Sequence, residues 1–179
     1  MGQLLGLCGS LRAGSFNRKL MHQAAKLFDP DAFVEGDLRL PLYDGDLEAT
    51  DGVPAAVQTL SDQIAAANAV VIAGPEYNKG VSGVLKNGLD WISRTKGGPW
   101  RDKPVAIMSA TAGRAGGERT QSALRLCLVP FRPRLLNGPE VLVAQAQAQF
   151  DEAGTLTNEI NYNALVELMA DLRQAAGLS

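Results

Sequence analysis

One histidine, His22, occurs in the 179 residues, and cysteine is limited to Cys8 and Cys127. A single imidazole with no Cys–His spacing argues strongly against a histidine-based metal centre and against a Ser–His–Asp triad. The two cysteines are far apart and each has leucine neighbours, Leu5 and Leu7 or Leu126 and Leu128. That setting suits buried thiols rather than a disulfide framework or a metal site. Excess charge is also lacking: the formal net charge is −2 and 20% of residues are charged, which offers no footprint for nucleic acid or an anionic membrane surface. No apolar run approaches the ~20 residues of a membrane span. Residues 1–8 have no signal-peptide layout, so a cytoplasmic protein is expected. The first glycine-bearing turn is neither Gly-x-Gly-x-x-Gly nor a Gly-Lys-Ser/Thr loop, which leaves a dinucleotide Rossmann site poorly supported and ATP phosphoryl transfer without its machinery.

What is present is a 46% hydrophobic chain of the usual size for one domain, residues 1–179. Unalternated apolar runs at 4–8, 69–73 and 105–110 suit strands covered on both faces. Between them Leu20, Ala24 and Leu27, then Val57, Leu60, Ile64 and Ala67, fall at helical spacing. A weaker strand is expected within 33–40, with the acidic stretch to Gly52 read as a surface connection. Helices are expected at 83–93, 117–129 and 158–178, and a last strand from 135–136 and 140–143 around Gly138-Pro139. Residues 144–156 read as a polar connection. Five parallel strands alternating with helices make a doubly wound α/β sheet, whose ligands bind at the strand carboxyl ends.

Three loops lie at those ends. The first, Gly9-Ser-Leu-Arg-Ala-Gly-Ser-Phe-Asn17, runs from a strand into a helix start, where unpaired N–H groups and the helix dipole favour an anion. Ser10, Ser15 and Asn17 add neutral donors, and Arg12 adds a charged fork suited to a phosphate monoester. The second, Gly74-Pro-Glu-Tyr-Asn-Lys-Gly80, offers the flat face of Tyr77 and shaped backbone that can read a heteroaromatic edge. The third, residues 109–117, is small and glycine-rich, which lets backbone approach a ligand. A phosphate cradle, a planar reader and a small-residue wall suit a mononucleotide with a large ring, FMN more naturally than NAD.

The first loop, Pro75-Glu-Tyr-Asn78 and Leu85-Lys-Asn-Gly-Leu-Asp-Trp91 together resemble the NADPH-dependent FMN reductase family, including its bacterial quinone and chromate reductases. The resemblance spans most of the chain and implies a flavodoxin-like three-layer fold. It further implies that Ser10, Arg12, Ser15 and Asn17 hold the FMN phosphate, with Leu11 and Phe16 lining the turn. Pro75, Glu76, Tyr77 and Asn78 would lie along the isoalloxazine and ribityl, with Thr111 and Gly113 near the ring. The implied activity is two-electron transfer from NADPH or NADH through FMN to a quinone, chromate, azo compound or free flavin. No protein side chain then acts as a catalytic acid or base, because the flavin carries the electrons. Lys79, Arg114 and Arg119 are candidates for steering an anionic donor or acceptor. Ser82 and the Lys79-Gly80 pair depart from the family pattern at the flavin entrance. Family likeness also implies a homodimer or homotetramer, with the helix bearing Trp91 packed on a partner. Trp91 reads equally well as core. Two rivals share the cofactor: a flavodoxin-type single-electron carrier, which should be more acidic, and a flavin-binding regulatory module without turnover.

Overall fold

Strand residues of alternating direction feed two separate cores, and that division sets the architecture. In the computed structural model, which describes residues 2–178, the strands of the main sheet are β1 (Gln3–Cys8), β2 (Ala32–Gly36), β3 (Ala69–Ala73), β6 (Pro104–Ala110), β7 (Arg134–Leu135) and β8 (Val141–Val143). A small antiparallel hairpin, β4 (Glu76–Tyr77) with β5 (Gly80–Val81), stands apart from it. Leu4, Cys8, Val71 and Met108 face α1 (Phe16–Phe28) and α6 (Glu159–Ala175), where Leu20, Phe28, Leu165 and Met169 complete one core. Leu5, Leu7, Ile72 and Ile107 face the other way. They meet Val57 and Ile64 of α3 (Ala55–Ala66), Leu85 and Leu89 of α4 (Gly83–Ile92), and Leu124 of α5 (Glu118–Leu128). Both faces of β3 and β6 are therefore buried, as their unbroken apolar sequences require.

The sheet is parallel in the order β2-β1-β3-β6, and β6 then pairs with both β7 and β8. β7 pairs with Pro104 and Val105, while β8 pairs with Met108 to Ala110. One edge position is thus shared by two short strands, separated by a segment that includes the cis Gly138–Pro139 bond. Six strands in this flavodoxin-like order replace the five expected. The order reverses between β1 and β3, which is where a doubly wound sheet opens a ligand crevice.

Other differences follow from local chemistry. The acidic connection contains α2 (Gly45–Asp51), started by Asp44, whose side chain accepts from the Asp46 N–H at 2.9 Å. The expected strand within 33–40 is shifted to 32–36, where pairing with β1 ends at Gly36. Residues 144–156 carry a short 3-10 turn and a Phe150–Leu156 bridge. Among the described residues, no helix is long and apolar enough to cross a membrane.

Gly9 is the tightest point under the site. A Cβ there would stand 2.4 Å from Leu85 and 2.9 Å from the Pro75 ring, so the first loop can pass between strand and helix only without a side chain. Gly9→Ala should lower stability by about 1–3 kcal/mol through overpacking, read as a fall in the urea midpoint with unchanged slope.

Candidate functional site

The carboxyl ends of β1, β3 and β6 open on one cavity of about 410 Å3, within the size range of cofactor pockets. The first loop contributes Ser10, Arg12, Ser15, Phe16 and Asn17. The second contributes Pro75, Glu76 and Tyr77, and the third contributes Ala110 to Ala115 together with Gly117 and Arg119. Leu11 and Asn78 do not line it. Leu11 borders a separate groove with Cys8, Glu35 and Arg39, and Asn78 occupies the hairpin turn with φ 50.

Each side chain in the first loop has its own partners. Ser15 is the N-cap of α1 and accepts from the Arg18 N–H at 3.3 Å, a spacing that sequence alone suggests. The Phe16 and Asn17 N–H groups have no acceptor among the described residues, as the start of a helix demands. Ser10 is buried, and its hydroxyl makes no hydrogen bond among the described residues. Arg12 is exposed, and its guanidinium forms no ion pair among the described residues. An unspent hydroxyl, two unspent N–H groups and a free guanidinium on one cavity are the donors a phosphate monoester requires. The residues present therefore fit the group expected from the sequence.

Asn17 has a different set of bonds from the one expected. Its amide donates to the Ala110 carbonyl at 2.8 Å and accepts from the Ala110 N–H at 2.9 Å. The side chain thus pairs with the end of β6 as a neighbouring strand would, tying the first loop to the third. One amide hydrogen remains for a ligand.

Glu76 reaches from the hairpin to the start of α5, accepting from the Arg119 N–H at 3.1 Å and standing 3.5 Å from its guanidinium. Arg119 is consequently a paired cation, whereas Arg114 on the same cavity has no such partner among the described residues. Tyr77 is half-exposed at the rim. Lys79 lies outside the lining, at the hairpin turn with φ 65. Phe16 is held by stacking on Phe150, with ring centroids 5.7 Å apart, a support from the tail of the chain that no local pattern announces.

Trp91 is fully buried, donates its indole N–H to the Pro41 carbonyl at 2.7 Å and meets Tyr43 edge to face. It belongs to the core, so it is not a surface for a partner subunit. Ser82 is buried as well. His22 is an exposed partner of Glu35 at 3.2 Å, beside the Arg18–Glu35 ion pair.

Cys8 lies directly beneath the first loop, its thiol 3.4 Å from the Ser10 carbonyl and 3.8 Å from the Ser15 hydroxyl. Burial pushes the Cys8 thiol up, against the lowering effect of the Ser10 contact, so it stays protonated and poorly nucleophilic at neutral pH. Iodoacetamide should therefore label the half-buried Cys127 and spare Cys8 in the folded protein. Peptide mass mapping before and after denaturation checks this, and Cys8 labelling at the Cys127 rate would contradict it.

Comparison with known proteins adds an independent line. The family described as NADPH-dependent FMN reductase matches residues 3–148. An NAD(P)H-dependent FMN reductase of Pseudomonas aeruginosa is 43% identical over 88% of this chain and 85% of its own length. A quinone reductase of Escherichia coli is 40% identical over 83% of this chain and 81% of its own. Among solved structures, the flavoenzyme NAD(P)H:(acceptor) oxidoreductase FerB of Paracoccus denitrificans superposes with TM-score 0.87 at 29% identity, covering 99% of this chain and 98% of that one.

Proposed function

Since this chain belongs to the NADPH-dependent FMN reductase family, we propose that its three-loop cavity holds FMN and that it works as an NAD(P)H-dependent quinone reductase. The observation that carries the site assignment is the set of donors on the cavity left unspent among the described residues: the Ser10 hydroxyl, the Arg12 guanidinium and the first N–H groups of α1. These hold the phosphate, and the dipole of α1 adds to their field. Bound FMN supplies the redox chemistry, accepting two electrons from the nicotinamide and passing them to the acceptor.

The chain's own contribution is positional and electrostatic. Phe16, braced by Phe150, walls the turn, and half-exposed Tyr77 presents a planar face at the rim where donor and acceptor enter in turn. Glu76 keeps the hairpin seated on α5. Arg114, like Arg12 without an ion pair among the described residues, is placed to attract an anionic donor or acceptor. This division of labour asks for no proton-transferring dyad, because the reacting centre belongs to the cofactor. Leu11, Asn78, Thr111 and Gly113 remain in the proposed set. Thr111 and Gly113 line the cavity, whereas Leu11 and Asn78 lie in the adjoining turns without lining it.

We place the whole chain, residues 1–179, in one flavodoxin-like FMN-binding domain, cytoplasmic and assembled as a homodimer or homotetramer. With Trp91 buried, the partner contact must use other residues of the molecule.

Purified protein should be yellow, bleach on anaerobic addition of NADPH or NADH, and regain its colour with a quinone. Failure of added FMN to bind would remove the reading. Binding without nicotinamide oxidation would favour a regulatory module, and stable one-electron reduction would favour a carrier.

A further inference from the structure

We propose that Gln121, acting through Ser109, is a positioning residue that sets the orientation of the Gly116–Gly117 peptide on the cavity wall and so tunes the electron affinity of the bound ring. The inference rests on the FMN reading above. Gln121 and Ser109 are both buried, at 1% and 0% exposure, and neither faces the ligand space.

Their hydrogen bonds run in one direction only. The Gln121 amide nitrogen donates to the Val141 carbonyl at 2.9 Å and to the Ser109 hydroxyl at 2.9 Å. A carbonyl can only accept, so Val141 fixes which end of the Gln121 amide is the nitrogen. With that N–H occupying its lone pair, the Ser109 hydroxyl gives its own hydrogen to the Gly116 carbonyl at 2.6 Å. The Gly116 oxygen is thereby drawn into the protein. In a trans peptide the N–H of the next residue points the opposite way, so the Gly117 N–H points away from Ser109. It has no acceptor among the described residues, and Gly117 borders the cavity. By the accounting that applies to buried backbone, its partner is solvent or ligand.

The two glycines are required by the same arrangement. Gly116 and Gly117 have φ 62 and φ 97, and a Cβ on Gly117 would stand 2.6 Å from Ser109. The peptide therefore lies directly on the hydroxyl that orients it. An N–H presented to the ring favours its reduced, more electron-rich state over the oxidised one, a preorganised interaction of the kind that costs no rearrangement during reaction.

Gln121→Glu tests the direction of the relay. A buried carboxyl is neutral at low pH, with its pKa raised by desolvation; its single hydrogen can go to Ser109 and keep the relay, at the cost of the bond to the Val141 carbonyl. Once ionised it only accepts, takes the Ser109 hydrogen and frees the Gly116 carbonyl. The FMN reduction potential of Gln121→Glu should match the parent near about pH 5.5 and fall below it near about pH 8.5. The expected offset is about 30 mV, a tenfold weaker grip on reduced relative to oxidised FMN for a two-electron couple. Ser109→Ala, which deletes one hydroxyl, should show the offset at every pH, and the double variant should show no step. Ser109→Ala decides the matter alone if Gln121→Glu does not fold. Potentials equal to the parent in the folded variants, or an offset in Gln121→Glu that does not change with pH, would overturn the proposal. Those results leave the FMN reading standing; a parent protein that binds no FMN would remove both.

Discussion

Replacing Arg12 by alanine should weaken FMN binding by about 10- to 150-fold, the range for losing a hydrogen bond to a charged group, while riboflavin binding stays unchanged. Arg12 is exposed and forms no ion pair among the described residues, so its removal leaves no orphaned charge and the melting temperature should hardly move. Riboflavin lacks the phosphate and therefore serves as the internal reference. Arg12→Lys should recover part of the loss, because an ammonium keeps the charge but not the planar fork. Fluorescence titration of the flavin-free protein with both ligands measures these effects. Equal weakening of FMN and riboflavin would move Arg12 away from the phosphate.

The second large effect is expected at Asn17, and there stability and binding should fall together. Asn17→Leu leaves the Ala110 N–H and carbonyl unpaired in a buried setting. At about 1–3 kcal/mol for each orphaned group, the cost is about 2–6 kcal/mol. The same change frees the first loop from the third, so FMN affinity should drop even in protein that remains folded. Asn17→Asp separates the two hydrogen bonds. Its carboxylate still accepts from the Ala110 N–H but cannot donate to the carbonyl, and it brings negative charge to the phosphate cradle. Urea denaturation of the flavin-free variants gives the stability loss, and FMN titration gives the binding loss. A leucine variant with parental stability would show that Asn17 is not the brace.

The contrast between these residues shows what was legible in the sequence. The place of Arg12 on the cavity was readable because the strand-to-helix turn that carries it lies at a strand carboxyl end. Ser15 was readable because capping depends on residues three apart. Asn17 lines the cavity as its place in the first loop suggests, yet its principal partner, Ala110, lies 93 positions away, and no local pattern encodes that pairing. Trp91 illustrates the opposite limit. An aromatic on an amphipathic helix suits either core or interface, and only the packing of Pro41 and Tyr43 against it resolves the choice. Arg114 and Arg119 looked equivalent until the hairpin brought Glu76 to Arg119.

By itself, the sequence determined the doubly wound architecture and the three loops that meet on one cavity. Apolar runs, helical spacing and capping are short-range or periodic signals, which a linear chain displays directly. Tertiary structure alone decided which donors are already spent and which stay free for a ligand. It also split the last sheet position between β7 and β8, and joined Gln121 to Ser109 and the Gly116 carbonyl. Those outcomes depend on hydrogen-bond partners brought together from separate elements, and a buried polar group takes whichever partner the packed fold sets within reach.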